Sequence, residues 1–305
     1  MEGPAELFKQ ASIIICTVDR LGDLERCLES LRPFRAAGAE ILVVNNGPHL
    51  TAVEEIAKRH GARVTTESVG GVSRARNAGI RAAAGTILAS LDDDSVADPN
   101  WLPFLLAPFR DPQVLAVVGS ICAQTLADPV SRAFDRLHRA EFPESRITLE
   151  ASPKETRFPL RPALVGNANM AIRREVFERF GYFDVRFGRG TRIGSGEEPD
   201  LLLRVLLGEG KIVVEPVACI FHRHSTVWRA IRRWAFYSGC AHTAILTKYF
   251  LRDPSLRGAI LRYATRRILR RREPASLITT QARIPRVPFL LGSLYGPLAF
   301  FLSRR

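Results

Sequence analysis

Four short stretches of strand character punctuate the first 95 residues: Ser12–Val18, Ile41–Val44, Arg63–Thr66 and Thr86–Leu91. Between them apolar residues recur at helical spacing. Leu21, Leu24, Leu28 and Leu31 precede Pro33, which is expected to end their helix. Val53, Ile56 and Ala57 run to Gly61, and an alanine-rich stretch follows Ser73, a plausible N-cap, to Ala84. Strands that alternate with helices through short connections cannot close as hairpins. They dictate an α/β domain with a largely parallel sheet. Open sheets of this kind bind ligands beyond the carboxyl ends of their strands. The loops after Val18, Val44, Thr66 and Leu91 are therefore where chemistry is expected.

Further along, Val114–Ile121 reads as a strand and Ser131–Phe142 as a helix. The polar, proline-containing segment 145–162 reads as a long loop. Asn169–Ile172 is expected to be a strand, Glu198–Leu207 a helix, and Lys211–Val214 and Ala218–His222 two strands.

Charge divides the chain. Of 44 Lys and Arg and 31 Asp and Glu over 305 residues, residues 223–305 hold 17 basic and 2 acidic side chains, net +15. The preceding 222 residues are at −2, so the overall +13 belongs to the C-terminal segment. There Trp228, Ile231 and Trp234 interleave with Arg229, Arg232 and Arg233. A denser run follows: Arg262, Arg266, Arg267, Arg270, Arg271 and Arg272. These read as basic amphipathic helices, suited to an anionic membrane surface. Arginines spaced by aliphatics and tryptophan favour that surface over nucleic acid, and an acid-lined crevice would repel a polyanion. The apolar stretch Val287–Leu302 is too short to span a bilayer comfortably and would lie on one or cap the core. Five scattered cysteines without CxxC spacing argue against a zinc site or a disulfide framework and fit a reduced compartment. No signal peptide is evident at the N-terminus. The expected location is the cytoplasm, peripheral to the inner face of the cell membrane.

Three constellations carry chemistry. Asp92-Asp93-Asp94 ends a strand in the crevice. Adjacent carboxylates repel, and hard oxygen ligands suit Mg²⁺ or Mn²⁺ shared with a diphosphate; a solvated acidic turn is the bland alternative. Gly70-Gly71-Val72-Ser73-Arg74-Ala75-Arg76-Asn77 puts glycines and arginines at a helix start, a setting for an anion. Gly194-Ser195-Gly196-Glu197-Glu198-Pro199-Asp200 places acids where a general base could stand, although acids are also favourable in any first helical turn. His222 and His224, flanking Arg223, are candidates for a further metal ligand.

The order of these segments resembles the family-2 glycosyltransferases of the GT-A fold over about residues 11–224. The resemblance rests on Cys16-Thr17-Val18-Asp19-Arg20, Val43-Val44-Asn45-Asn46-Gly47, the Gly70–Gly79 segment, and Leu91-Asp92-Asp93-Asp94 with Pro99 and Trp101. It extends through Gly166-Asn167-Ala168-Asn169-Met170-Ala171, Gly181-Tyr182-Phe183-Asp184 and Gly196-Glu197-Glu198-Pro199-Asp200-Leu201. It implies a Rossmann-like catalytic domain at 1–224 and a basic helical extension at 225–305. It implies nucleotide-sugar contacts from Thr17, Asp19, Asn45, Asn46, Arg74, Arg76, Asn77, Asp92 and Asp93. Asp94, with Asp92 and His222, would hold the metal. Asn167 and Asn169 would face the acceptor. Glu198 would be the base and Glu197 the acid before it. In this family Asn46 often has Asp in its place, and Asn keeps both a donor and an acceptor. Glu198 is one methylene longer than the usual aspartate base. The implied reaction is an inverting transfer from a nucleoside-diphosphate sugar to a hydroxyl of a sugar or lipid-linked acceptor, as in cell-envelope glycan synthesis. A nucleotidyltransferase on a similar fold and a nucleic-acid-binding protein using the basic tail are the alternatives.

Overall fold

The computed structural model describes residues 4–139, 142–150, 169–269 and 285–303. The chain runs α1 (Pro4–Lys9), β1 (Ala11–Thr17), α2 (Leu21–Ser30), α3 (Arg32–Ala36), β2 (Glu40–Asn45), α4 (Leu50–Arg59), β3 (Arg63–Thr66), α5 (Val72–Ala82), β4 (Ile87–Asp92) and β5 (Ser95–Ala97). It continues through α6 (Trp101–Leu106), β6 (Val114–Ala123), α7 (Pro129–Arg139), β7 (Ile147–Leu149), β8 (Met170–Arg173), α8 (Glu175–Phe180), α9 (Glu197–Leu207) and β9 (Lys211–His222). The helices α10 (Trp228–Arg252), α11 (Arg257–Leu269) and α12 (Arg286–Leu302) complete it.

One sheet of nine strands has the order β3-β2-β1-β4-β8-β6-β9-β5, with β7 also on β9. The strands from β3 to β4 are parallel, as the strand–helix alternation requires, and β6 and β9 are parallel too. Strand β8 runs antiparallel between β4 and β6 and joins the two parallel parts. Core residues such as Ile13, Ile15, Val43 and Ile87 are fully buried because both sheet faces are covered.

Several boundaries differ from the sequence reading. Pro33 does not terminate α2, which stops at Ser30; it occupies the first turn of α3, where a missing N–H costs nothing. Ser73 is not an N-cap. Gly71 holds that position, and the Ser73 hydroxyl donates to Phe187 O at 2.8 Å. The two strands expected around Pro216 are the single strand β9. A register shift between Gly119 and Ser120 accommodates the extra residues. The expected loop 145–162 includes β7, and its part from 151 lies outside the described residues, as do Arg270, Arg271 and Arg272.

The C-terminal helices pack on the preceding α/β part. Phe187, Ile193 and Leu203 share one core cluster with Cys240, Ala244 and Phe300. Helices α10 and α12 approach closely. A Cβ on Gly292 would lie 1.9 Å from Phe236 O, and one on Gly239 would lie 2.1 Å from Phe289 O. Small residues at such a seam let two backbones meet.

Lys248 on α10 is buried beside α9, with Nζ 2.6 Å from Asp200 Oδ1 and 2.9 Å from Asp184 Oδ2. Burial alone would raise the Asp184 carboxyl, but Arg186 and Lys248 hold it far below the usual range. Asp200 also pairs with Arg204 at 3.2 Å. Lys248→Met keeps the side-chain length but leaves the buried Asp200 and the half-buried Asp184 to their remaining arginines. It is expected to lower unfolding free energy by about 3 kcal/mol, read by urea denaturation. A loss under about 1 kcal/mol would show that this ion cluster does not anchor α10.

Candidate active site

The site is built at the carboxyl ends of β1 and β4. These strands are neighbours in parallel register, with Cys16 opposite Asp92. Beyond Asp92 the chain turns into β5, which pairs antiparallel with the end of β9 so that Ser95 faces His222. Arg223 N donates to Asp94 O at 3.0 Å. This pairing brings His222 Nε2 to 3.0 Å from Asp94 Oδ1. Asp92, Asp94 and His222 each present a ligand atom within 4.8 Å of the others. His224 lies behind, with its Nδ1 3.3 Å from His222 Nδ1 and its ring stacked on Phe134. Burial pushes His222 down and His224 down to about 4. Neutral imidazole is the form that ligates metal.

Asp93 points the other way. It accepts a bond from the Thr17 hydroxyl at 2.8 Å and an ion pair from Arg20 at 3.1 Å. Burial lifts its carboxyl to about 6, against the pull of Arg20. Thr17 is thereby committed to Asp93. Arg20 also pairs with Asp94. Arg20 is the functional residue that motif reading passed over. Its only sequence signal is its place as the last residue of the first-strand motif, and its role follows from where β1 ends.

Arg76, expected to contact the nucleotide, is 6% exposed and bridges the two acidic groups of the site. Its Nη1 lies 2.5 Å from Glu198 Oε1 and 3.0 Å from Glu197 Oε1, and its Nη2 lies 3.6 Å from Asp92. Its guanidinium also sits 5.8 Å over the Phe183 ring. Burial works against the charge, but Glu198, Glu197 and Asp92 hold the guanidinium firmly protonated. Glu197 and Glu198 occupy the first turn of α9, set by Gly196 at φ 96°, a left-handed conformation suited to glycine. A Cβ there would also lie 2.8 Å from Ala241 Cβ. Burial, and then the neighbouring Glu198 carboxylate, push Glu197 up to about 8.

The asparagines are mostly structural. Asn77 exchanges two bonds with the Phe183 backbone, at 2.9 and 3.0 Å, and so clamps α5 to the 181–184 segment instead of facing the crevice. Asn169 is fully buried. Its Oδ1 accepts from Trp101 Nε1 at 2.7 Å, and its Nδ2 donates to Ser120 O and Ala218 O. That commitment ties β8 to α6, β6 and β9. Asn167 lies outside the described residues. Asn46 donates to Glu67 O and Val69 O and accepts from Gly71 N, so its amide shapes the loop before α5. Asn45 donates to Gly47 O at 2.9 Å, while its buried Oδ1 has no partner among the described residues. Asp19 is exposed and Arg74 half-buried.

Five carboxyl groups thus face three guanidinium groups, those of Arg20, Arg76 and the exposed Arg189, whose charge acts on Asp92 and His222. The formal excess is two negative charges, in part masked near neutral pH by the proton on Glu197. Two carboxylates and an imidazole converging on one point are a donor set for a divalent ion of the Mn²⁺ or Mg²⁺ kind, with imidazole favouring the former. The residues fit the metal.

The sheet, with an acidic cluster at the end of a parallel strand bridged to acids on a later helix, has the GT-A fold. The chain belongs to glycosyl transferase family 2, whose sequence model matches residues 12–181. It is similar to a pre-mycofactocin glycosyltransferase of Mycobacterium tuberculosis, 28% identical over 250 residues, which cover 78% of this chain and 48% of the relative. The chain thus spans about half the length of that relative. Among solved structures it resembles a mannosyltransferase from Pyrobaculum calidifontis in complex with GDP-Man and Mn²⁺. The TM-score is 0.61 at 16% identity, covering 94% of this chain and 86% of the other. It also resembles glucosyl-3-phosphoglycerate synthase from Mycobacterium tuberculosis in complex with Mn²⁺ and UDP-Glc. Here the TM-score is 0.53 at 18% identity, covering 75% and 78%. At these identities the structural likeness establishes the fold.

Proposed function

We propose that this enzyme transfers a sugar from a nucleoside-diphosphate donor to an acceptor hydroxyl with inversion, by single displacement. The observation that carries the reading is the Arg76 bridge, which joins the Asp92 side of the crevice to Glu197 and Glu198. The bridge supports a reading in which donor and acceptor chemistry share one place. Asp94, Asp92 and His222 would hold a divalent metal, whose contribution when bound is to neutralise the diphosphate leaving group. Glu198 takes the proton from the acceptor hydroxyl as its oxygen attacks the anomeric carbon. Arg20 and Arg76 balance the acids between turnovers, and Arg189 faces the site from solvent.

The test is a screen of nucleotide sugars with Mn²⁺ or Mg²⁺, scored by nucleoside diphosphate release and by protection against thermal unfolding. Metal-dependent release with one donor is the expected result. Release of pyrophosphate instead would assign nucleotidyl transfer.

A membrane-proximal acceptor is favoured by α12. Its face away from α10 exposes Val287, Leu290, Leu291, Leu294, Leu298 and Phe301, each more than half exposed. The spacing forms one apolar stripe on a strongly basic segment, the combination that binds an anionic leaflet. No helix among the described residues is long and apolar enough to cross a membrane. Leu290→Asp with Leu294→Asp is expected to reduce co-sedimentation of the full chain with phosphatidylglycerol vesicles by about tenfold or more, without changing the unfolding midpoint. Equal binding of variant and wild type would remove the membrane reading and leave the stripe to a protein partner.

A further inference from the structure

Two cysteines outside the site meet across neighbouring strands. In the parallel pair β6–β9, Ser120 lies opposite Cys219 and Cys122 opposite Phe221. Cys122 and Cys219 are therefore two positions apart in register and share one face of the sheet. Their Sγ atoms lie 2.6 Å apart, well inside ordinary sulfur–sulfur contact. Both residues are half-buried. The register shift in β9 carries Cys219 to this place, and Ser120 Oγ fastens it by donating to Pro216 O at 2.7 Å.

We propose that Cys122 and Cys219 are a redox-active pair that closes reversibly to a disulfide by exchange with a small-molecule disulfide. The Cys122 thiolate attacks one sulfur of the small disulfide and releases one thiolate from it. Cys219 gives up its proton and attacks Cys122 Sγ, releasing the second thiolate. Two protein thiols are oxidised, and one small disulfide is reduced to two thiols.

The other cysteines do not compete. Burial lifts Cys16 to about 12 and Cys240 to about 11, and it raises Cys27 further, so these thiols stay protonated. At Cys122 the hydrogen bond from Cys219 outweighs burial and brings the thiol down to about 7. A thiolate is therefore present near neutral pH. The sequence argues only against a disulfide framework that builds the fold. This pair joins strands already in register, and its bridge is one that a thiol reductant would reopen. The bridge would tie β6 to β9 three residues before His222.

The test incubates the full chain with excess oxidised glutathione and maps its peptides by mass. The expected product has lost two hydrogens, links the Cys122 peptide to the Cys219 peptide, and reverts with dithiothreitol. Its unfolding midpoint rises by about 5 °C. Cys219→Ser is expected to stop at a stable glutathione adduct on Cys122. If wild-type Cys122 and Cys219 both stay free at equilibrium, or end as separate glutathione adducts, the proposal is overturned.

Discussion

Asp94→Asn is expected to lower turnover by about 10³-fold or more while leaving the fold intact. Asp94 is 8% exposed and stands where three elements meet. Its carboxylate pairs with Arg20 from the end of β1 and receives His222 at 3.0 Å from the end of β9. Asparagine keeps the shape but removes the charge. Arg20 retains Asp93, so the neighbourhood stays paired, and His222 loses its anionic neighbour. The three-atom donor set drops to one carboxylate and one imidazole, too few hard ligands for a divalent ion that dehydrates reluctantly. Two measurements check this. Initial rates of nucleoside diphosphate release should fall at every Mn²⁺ concentration, and titration calorimetry should show Mn²⁺ binding lost in the variant. Wild-type turnover by Asp94→Asn in the presence of chelator would remove the metal role from this trio.

The sequence makes Asp94 visible for a simple reason. A β-rich run that stops in three acids must stop at a strand end, and in a parallel sheet that end is the crevice. The same logic reaches Glu197 and Glu198, because a glycine-flanked acidic turn before an apolar helical pattern fixes their place on the helix. It does not reach direction or depth. Asn77 and Asn169 stand in motifs that resemble ligand-binding segments, yet each bonds to partners inside the protein. Arg76 stands in an anion-binding context by sequence, but α5 turns it inward onto carboxylates already present. Arg20, Lys248 and the Cys122–Cys219 contact depend on pairings between distant elements. No local periodicity encodes which strand will lie beside which. The C-terminal charge was legible as a quantity. The division of the apolar residues beside it into a seam packed on α10 and an exposed stripe on α12 was not, because Gly239 and Gly292 matter only once the helices meet.

Glu198→Gln should lower turnover by about 10²–10⁴-fold, the usual worth of a general base, with little change in substrate affinity. Glutamine can still accept from Arg76, so the α9 turn keeps its geometry and the loss isolates the proton acceptor. Glu197 serves as the control. Burial and the adjacent Glu198 carboxylate push it up to about 8, so near neutral pH it is largely protonated and poorly suited to accept a proton. Glu197→Gln resembles that protonated form and should cost much less in rate. Its stability should report the same physics. Between its ordinary 4.5 and about 8, folded Glu197 holds a proton that the unfolded chain has released. In that window the folded state binds more protons, so a rising pH destabilises it. Glutamine has no proton to lose, and the substitution is therefore increasingly stabilising relative to wild type as pH climbs from about 5 to about 9. Unfolding midpoints of both proteins across that range test the sign. A difference that stays flat, or shrinks as pH rises, would mean that Glu197 is already ionised. The two glutamates would then be equal candidates for the base.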